Sequence, residues 1–447
     1  MPPTLPAVRD TGKPLYYEDN GLRKVVPYTF AYEVHAKSRW IGKTVLDVFK
    51  GWIRDRSKEY YEHAIRSGSI LVQGEKVDPS YVIRNNDLLR NVAHRHEPPV
   101  VAGPITIVAE DKERGLLVVE KPGSMPVHPT GRYNFNTMLE ILKHAHGYPL
   151  VHTANRLDRL TSGVMVCSTN VDTSRWLTEL FATEGEVKKE YVCRAVGYFP
   201  DGEVICDEPM LTLDRQLGVN VVHPDGRPAR TIFRRLSYHA RTDTSVILCR
   251  PITGRSHQIR VHLQFLGHPI ANDPIYSANV WGRQGGTGGF FRDPVFLSGR
   301  QEGGDPTAGL VSSADLHLSS STAVTPELHT AISQLRLQRD AADPPDRVKA
   351  RDKPDLAALV DGAAMVDETE GPFGSATADY TARDEHGLYC RACGMPVLDD
   401  PRPEHLFIWL HASRYSSAAG NFDYRSTVLP PWAREDFDGE IPKPLLS

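Results

Sequence analysis

At 447 residues the chain has room for two or three domains of about 150 residues each. Its 40% hydrophobic and 8% aromatic content can bury cores, which excludes disorder throughout. No apolar run approaches the roughly 18 residues of a membrane helix, so a soluble chain with no membrane partner is expected. The proline-rich opening, Met1 to Leu15, fits neither a secretory signal nor an Arg-rich transit peptide. Six cysteines, four of them scattered (Cys167, Cys193, Cys206, Cys249), make no disulfide scaffold in a chain this long. A reducing compartment follows, taken as the cytoplasm with nucleus and mitochondrion left open.

The net charge of -4 argues against a nucleic-acid partner only until it is divided along the chain. Residues 1–300 carry 39 Lys and Arg against 32 Asp and Glu, a net +7; residues 301–400 carry 8 against 18, a net -10. The cationic excess belongs to the body, and the acidity to one block.

In chain order, residues 1–37 form an extension. Helical spacing then places Val45, Leu46 and Phe49 on one helix and Tyr61, Ala64 and Ile65 on a second. Ser69 to Val77 reads as two short strands pivoting on Gly74. This segment, 38–98, is studded with Lys43, Lys50, Arg54, Arg56, Lys58 and Arg66 and forms a basic module. From 99 to 280 strands are expected at Ile105 to Val108, Leu116 to Glu120, Val164 to Cys167, Tyr191 to Val196 and Val246 to Cys249. Helices are expected at Thr137 to His146 and around Asp172 to Thr183, where Trp176, Leu180 and Phe181 share a face. The class is α+β. Residues 281–404 are Gly-, Ser- and Pro-rich with little apolar content, which predicts a largely disordered insertion with one short helix near Thr325 to Gln338. Residues 405–447 resume the ordered pattern.

Two clusters carry the chemistry. In Asn155-Arg156-Leu157-Asp158-Arg159-Leu160-Thr161-Ser162-Gly163, the cations beside Asp158 favour an ionised carboxylate that could serve as a nucleophile. A turn aspartate accepting N–H bonds from Thr161 or Ser162 explains the same spacing. In Thr253 to Pro269, Ser256 is expected to cap a helix whose buried stripe is Ile259, Leu263 and Leu266. Arg260 then lies at the edge of that stripe, either reaching a carboxylate in a cleft or snorkelling to solvent.

Together these clusters resemble a known family. Asn155 to Gly163, Lys189-Glu190-Tyr191-Val192 leading to Val196-Gly197, and Thr253 to Tyr276 are similar, in order, to the three signature motifs of RluA-type pseudouridine synthases. Val118 to Gly123 with Val127-His128-Pro129 resembles the opening of their catalytic domain, and Trp409 to Tyr415 with Leu429 to Trp432 its closing strand and exit. Gly21 to Tyr28, Tyr60 to Ile65 and His94 to Pro99 resemble the eukaryotic branch containing fungal enzymes that act on uridine 32 of the tRNA anticodon loop. The resemblance implies a catalytic domain with a central mixed, mainly antiparallel sheet, split by the 281–404 insertion and closed by 405–447. It also implies that 38–98 is a small alpha-L RNA-binding module. The implied activity is uridine-to-pseudouridine isomerisation by a monomer, with RNA, above all tRNA, as partner and with no cofactor.

By resemblance Asp158 is the nucleophile or charge-bearing carboxylate, attacking the anomeric carbon or the pyrimidine ring; Tyr191 stacks on the base and assists proton removal; Arg260 pairs with Asp158. Arg156 would wedge into the gap left by the flipped nucleotide, with Arg159, Arg255, His257, Lys43 and Arg66 as further RNA contacts. The family's usual His before Arg-Leu-Asp is Asn155 here, which cannot titrate. That departure is the sole support for a non-enzymatic RNA-binding factor. Cys390-Arg391-Ala392-Cys393 with His405 or His411 is a weak zinc signal, and no metal is expected. A nucleobase deaminase is rejected because no His-x-Glu occurs.

Overall fold

The computed structural model describes residues 14–53, 58–214, 217–281, 330–337, 381–384, 387–390, 393, 396–437 and 439–441. They fall into two compact units, one from 1–99, 131–136 and 343–400, the other from 100–130, 137–342 and 401–447.

In the first unit, β1 (Tyr16–Asp19) and β2 (Leu22–Val25) form a hairpin with Asp19 opposite Leu22. The two linking residues are Asn20 and Gly21, both at positive φ (50° and 75°), the backbone a tight two-residue hairpin requires. β3 (Tyr28–His35) follows, then α1 (Val45–Val48), N-capped by the Thr44 hydroxyl accepting the Asp47 N–H, then α2 (Lys58–Ser67). β4 (Ile70–Val72) and β5 (Leu88–Arg95) complete an antiparallel sheet of order β3-β5-β4. Val45, Val48, Phe49, Tyr61, Ala64 and Ile65 pack with Ile70, Val72 and Leu89 into one apolar cluster. The two helices fall where the spacing put them. The second arm of the expected hairpin is not a strand: beyond Gly74 only Glu75 bridges back to Val72, and Glu75 and Lys76 are exposed. Val77 packs against the cluster from outside any strand, and β5 pairs with β4 instead.

The second unit runs β6 (Val100–Val101), β7 (Thr106–Asp111), β8 (Leu116–Lys121), α3 (Met138–Ala145), β9 (His152–Thr153), β10 (Ser162–Ser168) and α4 (Val171–Ala182). It continues with β11 (Val187–Val196), β12 (Glu203–Asp207), β13 (Met210–Asp214), β14 (Val219–Val222), β15 (Arg230–His239), β16 (Thr244–Pro251), α5 (Gln258–Phe265) and α6 (330–337). β17 (Thr381–Asp384) and β18 (Gly387–Cys390) form a hairpin in the first unit. The chain then returns to the second unit with β19 (Leu410–Ser417) and β20 (Asp423–Arg425).

The main sheet has the order β12-β15-β16-β11-β19-β10-β8-β7. Only the β10–β19 pair is parallel, so the sheet is mixed and mainly antiparallel. β19, which lies in sequence after the acidic block, fills the middle of this sheet. Gly163 makes that fit possible: its φ is +119°, and a Cβ there would collide with the Ala412 backbone of β19.

One expectation needs correction. On α4 the buried residue is Leu177, not the trio Trp176, Leu180 and Phe181. Trp176 and Phe181 are half-buried and lie under Arg114 and Lys189 as cation–π partners. The acidic block also holds ordered structure within the expected helical stretch: Ala331, Ile332 and Leu335 of α6 are buried in the second unit's core, and Arg336 Nε donates to Asp214 at 2.7 Å. The disorder expected elsewhere between 281 and 404 falls mostly on residues outside those described. Among the described residues no helix is long and apolar enough to cross a membrane.

Candidate active site

Asp158 sits on the loop between β9 and β10. Its backbone carbonyl, not its carboxylate, accepts the Thr161 N–H at 3.1 Å, so the turn forms and leaves the carboxylate available. Lys121, fully buried at the end of β8, ties the loop from beneath: Nζ donates to the carbonyls of Pro122 (2.9 Å), Met125 (2.8 Å) and Arg159 (3.4 Å). Burial pushes the Lys121 ammonium down to about 7, against the opposing pull of the Asp158 charge. On the other flank, the Ile408 N–H donates to Leu160 O at 3.1 Å, anchoring the loop to the segment that enters β19.

The Asp158 side chain is 32% exposed, within reach of a ligand, and its Oδ2 lies 3.7 Å from His257 Nε2 and 3.8 Å from Arg260 Nη1. Arg260 spends its better hydrogen bonds elsewhere. Its Nε and Nη2 grip Asp273 at 2.6 and 2.9 Å, a bidentate pair with both side chains almost wholly buried. Burial alone would lower the Arg260 guanidinium, but the Asp273 carboxylate outweighs it and holds the cation above its ordinary value. Asp273 Oδ1 also accepts the N–H groups of Ile275 and Tyr276, and the Tyr276 ring lies 4.8 Å from the guanidinium carbon. A fixed cation is thus held under Asp158, its charge already compensated on the far side.

His257 is fixed through Tyr276. That hydroxyl accepts the Asn220 N–H at 3.1 Å and contacts His257 Nδ1 at 2.9 Å. Burial holds the phenol protonated, so it donates to Nδ1 and the proton of the neutral imidazole is left on Nε2, facing Asp158. Burial, then the neighbouring Arg260, push the ring down to about 4. The helix therefore starts differently from expectation. Ser256 does not cap α5; the N-cap is His257, in the left-handed conformation at φ 59°. All eight residues of α5 are buried, so Arg260 sits inside the core with a dedicated carboxylate rather than at the edge of a stripe.

Tyr191, on β11, completes the wall. Its hydroxyl lies 2.7 Å from that of Tyr415 on β19, which also accepts the Asn155 amide at 3.0 Å. Burial pushes Tyr191 up to about 12, and the Asp158 charge adds to the rise. Asp158, Tyr191, Arg260 and His257 thus come together in one unit, drawn from a loop, one strand and the start of a helix.

A family model for RNA pseudouridylate synthases matches residues 115–265, the span that supplies Lys121, Asp158, Tyr191, His257 and Arg260. The chain is also 41% identical over 439 residues to a mouse protein, Pseudouridylate synthase RPUSD2, covering 94% of this chain and 73% of the relative. The chain belongs to the RluA-type RNA pseudouridine synthases. Two yeast (Saccharomyces cerevisiae) relatives of this synthase have names that specify a tRNA position. The mitochondrial tRNA pseudouridine(32) synthase is 46% identical over 276 residues, 61% of this chain and 58% of the relative. The tRNA pseudouridine(31) synthase is 29% identical over 462 residues, 94% of this chain and 97% of the relative.

The synthase's remaining sequence-derived positions scatter. Arg156 is exposed beside the site, Arg159 is half-buried in the same loop, and Arg255 is exposed with its Nε bonded to Pro228 O. Lys43 and Arg66 are exposed on the first unit, where Arg66 lies 3.5 Å from Asp78. Cys390 and Cys393 also belong to the first unit, where their companions are His94 and His96. Hydrogen bonds from Cys393, then His94 and His96, hold the Cys390 thiol well below its ordinary value. His411 is engaged elsewhere, between the hydroxyls of Ser162 and Ser426. Lys121, Asp273, Tyr276 and Tyr415 were given no role by sequence reasoning. Asn272-Asp273-Pro274-Ile275-Tyr276 stands inside the third motif, so Asp273 was on view there as a carboxylate 13 residues beyond Arg260.

Proposed function

We propose that this synthase isomerises uridine 32 in the tRNA anticodon loop, with Asp158 as the catalytic carboxylate. The position rests on one observation, the 46% identity to the yeast position-32 enzyme, against 29% to the position-31 enzyme. A loop uridine leaves its stack at a cost of only a few kcal/mol, less than in a duplex. The N1–C1′ bond then breaks with its electron pair departing on uracil, while an Asp158 oxygen bonds to C1′. The base turns, C5 bonds to C1′ as the Asp158 oxygen leaves with its electron pair, the C5 proton passes to water and N1 takes one up, so that protons balance over the isomerisation. Arg260 sets a fixed cation 3.8 Å from the carboxylate and aims it, and His257 offers it an N–H rather than a charge. The Tyr191 ring stacks on the base. Its phenol is protonated at neutral pH, so it takes part in the final proton removal only by passing a proton along its bond to Tyr415. Arg156 fills the vacated stack, and Arg159, Arg255, Lys43 and Arg66 engage phosphates, the last two as part of an alpha-L-like RNA-binding module.

Chemical mapping of pseudouridine on unmodified tRNA transcripts carrying uridine at both 31 and 32 tests the position. Modification at 32, abolished by a U32-to-C transcript, is expected. Modification at 31 or in another RNA loop with 32 untouched would overturn it.

A further inference from the structure

His94, His96, Cys390 and Cys393 lie outside the catalytic site, and the reaction uses none of them. Each turns one ligand atom toward the others, and all four atoms lie within 4.8 Å of one another. His94 Nδ1 is 3.2 Å from His96 Nε2, His96 Nε2 is 3.2 Å from Cys393 Sγ, and Cys390 Sγ is 3.6 Å from His94 Nδ1. Ligands at about 2.3 Å (sulfur) and about 2.0–2.1 Å (nitrogen) on a tetrahedral zinc ion stand roughly 3.3 to 3.8 Å apart. Three of the six separations, at 3.2 to 3.6 Å, fall near those edge lengths, and no pair is farther apart than 4.8 Å.

The local fold explains how the four converge. His94 and His96 are two apart at the end of β5, so both side chains leave the same face. Cys390 closes the β17–β18 hairpin. After Cys393 the chain turns back along β18, with Tyr389 bridging Pro396 and the Val397 N–H donating to Leu388 O at 2.8 Å. His94, Cys390 and Cys393 are 8%, 0% and 9% exposed, so the ligand atoms are shielded from water. Two thiols and two imidazoles with no carboxylate form a donor set that favours zinc over calcium, magnesium or manganese. Four protein ligands fill a tetrahedron and leave no open position for a substrate.

We propose that His94, His96, Cys390 and Cys393 form a closed, structural Zn2+ site that staples the end of the acidic segment to strand β5. The site joins residues almost 300 positions apart, so the free energy of binding zinc becomes free energy of ordering that segment. It is independent of which RNA the enzyme modifies.

The test uses the full chain, expressed in zinc-supplemented medium and purified without chelator. Plasma mass spectrometry is expected to find about one zinc per chain in the wild type and in a Cys206→Ser control, and less than about one tenth as much in Cys390→Ser and His96→Ala. Because those variants could fail for lack of folding, unmutated protein is also reconstituted with Co2+. Tetrahedral d–d bands together with a sulfur-to-cobalt charge-transfer band are expected, and a chelator should lower the Tm of the zinc form. Wild-type protein without stoichiometric zinc, a cobalt spectrum lacking the sulfur band, or a Cys390–Cys393 disulfide in the intact mass would each overturn the proposal.

Discussion

Arg260 shows how one side chain can serve a site without being its main partner. Its bidentate bond goes to Asp273, both groups are buried, and only Nη1 faces Asp158, at 3.8 Å. Removing one member of such a pair strands the other charge out of water. Asp273→Asn is therefore expected to cost about 3–5 kcal/mol of stability, read by denaturant unfolding, and to lower turnover by letting Arg260 drift. An unchanged unfolding midpoint would mean that Asp273 does not hold Arg260. The proposed reaction gives Tyr191 two roles. Tyr191→Phe keeps a ring to stack but loses the 2.7 Å bond to Tyr415, so kcat should fall by about 100-fold with little change in KM. Wild-type kcat in that variant would confine Tyr191 to stacking. Asn155, the departure from the family pattern, is accounted for by its amide: it donates to Tyr415, a task that needs no titrating group.

Among the elements, those with continuous apolar runs were readable in sequence, and those that earn their place by pairing were not. Leu116–Lys121 and Ser162–Ser168 are buried along almost their whole length, and their Val-, Leu- and Met-rich runs announce them. β12 and β15 lie at one side of the sheet, where charged residues such as Glu203, Arg230, Arg234 and Arg235 interrupt the apolar signal, and both went unread. α5 was located but misjudged: a helix buried all round has no stripe, and the left-handed His257 that starts it leaves no mark in the sequence. Asp158 and the Arg260 helix were legible as motifs, but the carboxylate that holds Arg260 was not. Still less legible was the His94, His96, Cys390 and Cys393 cluster, whose halves no local pattern can join. At the β10–β19 crossing, Gly163→Ala meets both a positive φ and the Ala412 backbone. It should destabilise the chain by more than about 1 kcal/mol, and a thermal midpoint within error of wild type would show that the two strands can separate at no cost.

At the scale of the molecule, three histidines of the second unit are held neutral by burial. His257, His262 and His411 are each pushed down to about 4, chiefly by burial, from an ordinary value of 6.5. The unfolded chain therefore binds more protons than the folded one between about pH 6.5 and 4. The stability these rings permit is fully present above pH 6.5 and is lost as pH falls toward 4. Tm should drop across that window, and His262→Gln, which removes one ring, should flatten the drop; an equally steep fall in the variant would place the acid sensitivity elsewhere. The charge division read from the sequence, +7 over residues 1–300 and -10 over 301–400, places the cationic excess with the chain that carries the catalytic motifs. That body sets the partly exposed carboxylate of Asp158 beside a buried, compensated arginine. The most direct measurement is chemical mapping of pseudouridine in unmodified tRNA treated with the full chain or with Asp158→Ala, alongside tRNA affinity for both. Site-specific pseudouridine with the wild type, and none with an Asp158→Ala protein that binds tRNA equally well, is the expected result. Equal modification by the two proteins would contradict the role of Asp158.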